Sequence, residues 1–136
     1  MAEIADLNAN AANNTARFGE GQLVSTINDG ARELEAIIAR WFKDTNGSIS
    51  SSGSVSAYTI LTNRTIPAHA SGVSFRWRAH VANSGACTLT VNALSSKPLR
   101  RSGGGALVTG DILVNQIVDS VYNSAGDYYE CVGINA

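Results

Sequence analysis

Apolar positions recur along this chain with two different periods. Between residues 27 and 41, Ile27, Ala31, Leu34, Ile38 and Trp41 follow one another at intervals of four, three, four and three. That spacing lines side chains up on one face of a helix, and the alternation of four and three makes it a heptad seam, with Ala31 and Ile38 at a and Ile27, Leu34 and Trp41 at d. Ser25 or Thr26 supplies a start signal, Asn28 and Asp29 suit the positive end of the dipole, and Asn46–Gly47 supplies the stop. A helix over residues 25–45 is therefore predicted. Ile37 and Phe42 widen the stripe on both sides, which suits a three-chain bundle better than a two-chain zipper. An amphipathic helix packed on the chain's own β-domain accounts for the same stripe, so both readings stand on periodicity alone. Arg32, Glu33, Glu35, Arg40 and Lys43 form the polar, solvated face.

Beyond residue 54 the period falls to two. In "VSFRWRAHV", Val73, Phe75, Trp77, Ala79 and Val81 alternate with Ser74, Arg76, Arg78 and His80, so one face meets a core and the other is polar. "VSAYTILT", "CTLTVNAL", "DILVNQIVDSVYN" and "DYYECVGI" are further candidate strands, and "NSAG" joins the last two as a hairpin. Short strands at this spacing predict a compact antiparallel β-sandwich or barrel-like domain over residues 55–136. The lead, residues 1–24, is polar, rich in Ala and Asn, and without clear periodicity, which predicts an arm, extended or locally helical, that takes its shape from what it touches. Residues 46–54, "NGSISSSGS", read as a hinge. The fold class is thus mainly β with an N-terminal helix.

Composition narrows the partners. The formal net charge is −1 and only 15% of the 136 residues are charged, against 44% hydrophobic, so there is no bulk electrostatic pull toward nucleic acid or a membrane surface. Such a low charge density suits assembled β-structure and an ordinary monomeric β-domain alike. Cys87 and Cys131 lie far apart, without metal-ligand spacing, and read as buried free thiols. The first residues lack the charged start and apolar core of a secretory signal, and no apolar run approaches the ~20 residues that span a bilayer.

Catalytic chemistry finds no foothold. His69 and His80 lack HExxH spacing, the serines of "SISSSGSVS" have linker composition, and "RRSGGGALVTGD" lacks the ending of a phosphate loop. Asp111, Asp119, Asp127 and Glu130 are scattered over strand ends and turns. No enzyme, cofactor or metal site is expected. Arg76, Arg78 and His80 put three potential cations on one strand face, for which an exposed strand face is the simpler account.

One segment carries a resemblance. "EGQLVSTINDGARELEAIIARWFKDTNGSI", residues 20–49, is similar to the N-terminal attachment region of tailed-bacteriophage fibre proteins. Its parts come in that family's order: paired Asn13–Asn14, Gly19–Glu20–Gly21, Ser25 to Asp29, Arg32–Glu33, Arg40–Trp41–Phe42, and Asp44 to Gly47. "SAYTILTNRTIPAHASGVSFRWRAHVANSGACTLTVNALSSKPLRRSGG" and "GDILVNQIVDSVYNSAGDYYECVG" resemble a short β-domain of such fibres, with Asn115 where Gly is usual.

The resemblance implies a parallel homotrimer, with Ile27, Ala31, Leu34, Ile38 and Trp41 as the inter-chain seam. It also implies an arm that holds the virion, for which Asn13, Asn14, Phe18 and Glu20 are the candidate contacts. The expected partners are copies of itself and other phage tail or head structural proteins, with a host surface glycan as a further candidate; the expected location is the virion, after synthesis in the bacterial cytoplasm. The stretch up to Ala136 holds no shaft and no repeats, which leaves an anchor, a coiled coil and a compact head and speaks against a β-helical depolymerase. Short tail fibre, fibre adaptor and capsid head fibre or decoration protein all fit. A carbohydrate-binding module using Trp77, Tyr128, Tyr129 and the basic row is the rival from another class.

Overall fold

The computed structural model describes residues 3–14 and 18–134. The remaining parts of the expected arm and of the C-terminal end lie outside the described residues. The chain divides into two compact units, Met1–Phe42 and Lys43–Ala136.

In the first unit the helix α1, Val24–Thr45, begins. It starts one residue ahead of the expected Ser25, and the Thr26 hydroxyl donates to the Leu23 carbonyl at 2.7 Å instead of capping an N–H. The lead is locally wound, with 3-10 turns at Ile4–Asp6 and Ala11–Asn13. Asparagines shape it: Asn10 Oδ1 accepts from the Ala12 N–H, and Asn14 reaches back to accept from the Asn8 N–H at 2.8 Å while donating to the Asn8 carbonyl at 2.7 Å. Such side-chain bonds give a short polar segment local structure that hydrophobic periodicity cannot signal.

The second unit is a single eight-stranded sheet, nearly closed on itself. Its strands are β1 Ile49–Ser50, β2 Ser52–Ser54, β3 Ala57–Ile60, β4 Ser74–Arg78, β5 Cys87–Val91, β6 Lys97–Arg101, β7 Ile117–Asn123 and β8 Tyr128–Val132, in the order β1-β4-β7-β8-β6-β5-β3-β2. Helix α1 ends where expected, at Asn46–Gly47, because Gly47 takes a left-handed φ of 85° that an L side chain resists. The expected hinge is different: residues 46–54 carry β1 and β2. These two strands stand at opposite edges of the sheet, yet only Ser51 separates them in the chain. The polypeptide itself therefore bridges the two edges.

Ser51 holds that seam. Its N–H donates to the Arg78 carbonyl at 3.0 Å, and its hydroxyl lies 2.8 Å from His80 Nδ1 and accepts from the His80 N–H at 3.1 Å. Gly53 beside it, at φ 98°, runs so close to β3 that a Cβ would sit 2.2 Å from the Ala57 carbonyl oxygen. A serine-rich run with no apolar alternation hides both strands from a periodicity reading, because their order comes from backbone pairing at the edges.

The expectation of a purely antiparallel sheet is corrected: β1–β4, β3–β5 and β6–β8 pair in parallel. Each of these pairs joins strands that are not consecutive in the chain, with room between them for the crossover that carries the chain back to the end of the sheet where the first strand began, as a parallel pair requires. β6 is not among the candidate strands, and its pairing with β8 begins at Leu99, past the proline that cannot donate. β7 is shorter than the apolar run implies. Asp111–Gln116 precedes it as turns, and Asn115, standing where Gly is usual in the resembled family, takes φ 64°.

The core follows the alternation. Phe75, Trp77 and Ala79 are buried and Val73 and Val81 pack against them, joined by Tyr58, Leu89, Leu99, Val118 and Tyr129. The β7–β8 hairpin closes through Asn123↔Tyr128. Cys87 and Cys131 are buried free thiols; burial raises the first to about 11 and the second to about 12, so both stay protonated and poorly nucleophilic at neutral pH.

Candidate functional site

The surface that distinguishes this chain is the apolar stripe of α1. Helical geometry sends its apolar residues to two faces. Ile37 is fully buried and Gly30 is buried. On the seam, Ile27 is 44% exposed, Ile38 49% and Trp41 43%, with Ala31 exposed as well. Leu34 stands apart from the other seam residues: it is half-buried and lines a cleft of about 370 Å³ with Leu7, Asn8, Ala11, Asn14 and Phe18. The lead thus folds against one side of the helix.

An ionic clasp accompanies that contact. Glu3, itself buried, meets Arg40 Nε at 3.0 Å, and the same guanidinium reaches Glu33 at 3.3 Å. The Glu3 carboxylate, with the Glu33 contact added, raises the Arg40 pKa above its ordinary value. Of the residues proposed to hold a virion, Asn13 closes the second 3-10 turn through its N–H to the Asn10 carbonyl at 3.0 Å, and the Asn14 amide is engaged inside the lead. Phe18 and Glu20 are exposed. The Asn14 role that the structure displays is to organise the lead, which the residue pairing in the sequence does not reveal.

The second unit places the other candidates. Arg76 is bidentate on Asp119 at 2.7 and 3.0 Å, Arg78 donates to Ser50 Oγ at 2.9 Å, and His80 is engaged by Ser51 and by the Gly53 carbonyl at 3.3 Å. The three potential cations therefore diverge into separate contacts. Trp77 is fully buried, its indole N–H donating to Ser120 Oγ at 2.9 Å, and Tyr129 is buried too. Tyr128 is half-buried. Two of the three aromatics of the glycan-platform reading therefore face the core, as alternation on β4 and β8 requires.

Two polar networks escaped the sequence reading. Asp44, at the end of α1 and fully buried, accepts from the Asn63 N–H at 2.7 Å, the Asn63 amide at 2.9 Å, the Arg64 N–H at 3.1 Å and Arg64 Nε at 2.8 Å. Arg64 continues to the Ser74 carbonyl at 2.9 Å and lies over the Phe75 ring at 5.4 Å. In the second network Asp111 takes a bidentate guanidinium from Arg101 at 2.8 and 2.7 Å and the Val108 N–H at 2.8 Å. Asn83 fastens the same loop, donating to the Gly85 and Val108 carbonyls and accepting from the Ile112 N–H. Nothing local in "KDT" or "VTGDI" announces the two arginines, which lie 20 and 10 residues away along the chain.

Asp111 supplies a pH prediction. The Arg101 guanidinium, helped by the Val108 N–H and opposed by burial, holds its carboxyl below the usual carboxylate range. A depressed folded-state pKa contributes stability that is complete above the ordinary value near ~4 and is lost as the pH falls through the lowered value. Thermal melts from pH 6 to pH 2 should therefore show the wild type losing its advantage over Asp111→Asn, and an advantage that stays constant would refute the assignment.

Among the described residues no group of three His, Cys, Asp or Glu side chains is placed to hold a metal ion, and no helix is long and apolar enough to cross a membrane. The sequence matches no family model and no curated protein. The chain's own residues carry the functional reading.

Proposed function

We propose that this chain is a structural virion protein of a tailed bacteriophage: a homotrimeric short tail fibre or fibre adaptor. The arm at residues 1–24 attaches to a tail or head component, α1 sets the three-fold axis, and the β unit binds the next protein or a host surface. The mechanism is multivalent binding, in which three weak heads on one stalk gain avidity without a reaction.

The observation that carries this reading is the exposure of Ile27, Ala31 and Ile38 at heptad spacing on a helix whose Ile37 is buried. A monomer gains nothing by leaving such a seam in water, whereas neighbouring copies bury it with the register a coiled coil needs. The ordered resemblance of residues 20–49 to fibre attachment regions supports the same conclusion.

Light scattering on the purified full chain tests it. The expected mass is that of three copies, falling to one in Ile27→Asp/Ile38→Asp. These two positions are chosen because Leu34, lining the cleft with the lead, would confound the result. A wild-type monomer overturns the trimeric reading.

A further inference from the structure

At several positions an asparagine folds its side chain over the backbone that follows it. Asn8 Oδ1 accepts from the Asn10 N–H at 2.8 Å, Asn10 Oδ1 from the Ala12 N–H at 3.1 Å, Asn123 Oδ1 from the Ala125 N–H at 3.1 Å, and Asn46 Oδ1 from the Ser48 N–H at 2.9 Å. Each such turn carries the side-chain carbonyl carbon toward the backbone nitrogen of the next residue. After Asn8, Asn10 and Asn123 that residue is Ala9, Ala11 or Ser124, whose Cβ stands beside the nitrogen. After Asn46 it is Gly47, and no other asparagine in the chain precedes a glycine.

Asn46 is exposed, and Gly47 is held at φ 85°, the left-handed conformation that ends α1. A side chain at Gly47 would be strained and would place its Cβ 3.4 Å from Ile117 Cγ2. The helix stop therefore demands the one residue that leaves the nitrogen after Asn46 unshielded. The Ser48 N–H already donates to the oxygen on which negative charge builds when a nucleophile adds to the Asn46 amide, as a placed donor does for an oxyanion. Proximity, an open approach and that donor coincide at this asparagine.

We propose that Asn46–Gly47 is a site of self-modification, where the chain converts its own amide to an acid through a cyclic imide. The Gly47 nitrogen gives its proton to solvent hydroxide and bonds to Asn46 Cγ. The Cγ–Nδ2 bond then breaks, and the departing nitrogen takes a proton from water and leaves as ammonia. Water opens the ring in one of two ways. Addition at Cγ gives an aspartyl residue, and addition at the main-chain carbonyl gives an isoaspartyl linkage whose backbone runs through Cγ. Only residues 45–48 separate Asp44, fully buried against Asn63 and Arg64, from Ile49, buried and in register with Trp77. The isoaspartyl form lengthens that link by one carbon, and either product sets a carboxylate beside the negative carbonyl end of α1. The helix stop loosens as the chain ages.

Ageing the purified full chain tests this. Samples are held at pH 8 and pH 5, folded and in urea, and their peptides are mapped by mass spectrometry, with enzymatic methylation by an isoaspartyl methyltransferase to count the rearranged linkage. In the folded chain the amide-to-acid mass change should build up at Asn46 about tenfold faster than at Asn8, Asn10 or Asn123, a barrier difference of about 1.4 kcal/mol. It should run faster at pH 8 than at pH 5, because hydroxide starts the attack. An Asn46 that converts in urea but stays intact in the folded chain overturns the proposal, since the fold then blocks the attack. Aspartyl product without any isoaspartyl product overturns the imide route. Gly47→Ala should suppress conversion both folded and in urea, so a strained variant still reports; an unchanged rate in both overturns the part given to Gly47. An isoaspartyl fraction as resistant to urea unfolding as the fresh chain overturns the loosening of the helix stop.

Discussion

Asp44→Ala should destabilise the β unit by about 3–5 kcal/mol, the range for removing one partner of a buried ion pair. Asp44 is wholly inaccessible and its two oxygens accept from four groups, on Asn63 and Arg64. Truncation strands the Arg64 guanidinium, itself buried over Phe75, and leaves the amides of both residues without an acceptor. An unpaired buried charge costs far more than the pair contributes, so the loss is large although the intact bridge adds little net stability. Asp44→Asn should recover only part of the loss, because one amide oxygen still accepts while the NH2 faces the donors of Arg64. Urea unfolding followed by near-ultraviolet circular dichroism measures both variants. A shift below about 1 kcal/mol for the alanine variant, the size of one ordinary hydrogen bond, would refute the anchoring role.

A loss of similar size is expected for Trp77→Ala, about 3–5 kcal/mol as for other large aromatics cut from a core. The ring is fully buried, its centroid 5.2 Å from that of Tyr58, and its N–H satisfies the buried Ser120 hydroxyl. Trp77→Phe keeps most of the apolar volume but removes that donor, so about 1–3 kcal/mol should be lost. The same urea titration, followed by far-ultraviolet circular dichroism, orders the three proteins. The comparison also addresses the glycan-platform idea: a residue that acts on a ligand at the surface tolerates alanine without loss of stability, and Trp77 should not.

The helix and the inward faces of β3, β4, β5, β7 and β8 were legible in the residues themselves. Their period of 3.6 or 2 arises from local backbone geometry, and so does the stop at Asn46–Gly47, where only a left-handed residue fits. The "NSAG" hairpin is equally local. Strand β6 was not legible, because "KPLRR" holds a single aliphatic residue, Leu99, and so shows no apolar alternation, and β1 and β2 were not, because short serine-rich edges carry none either. The candidate seam residues were legible as a stripe. That Leu34 would turn toward the lead while Ile27 and Ile38 remain in water was not, since a heptad pattern states which residues share a face and not what lies on it.

By itself, then, the amino-acid sequence determined a polar lead, one amphipathic helix and a β-domain with alternating faces, because these depend on neighbours a few positions away. Tertiary structure alone decided that strands one residue apart border opposite edges of one sheet, that Asp44 finds Arg64, and that Arg101 finds Asp111. Those pairings are set by how the whole core closes around Trp77 and Tyr129, where each strand's neighbour is chosen by the packing of all the others.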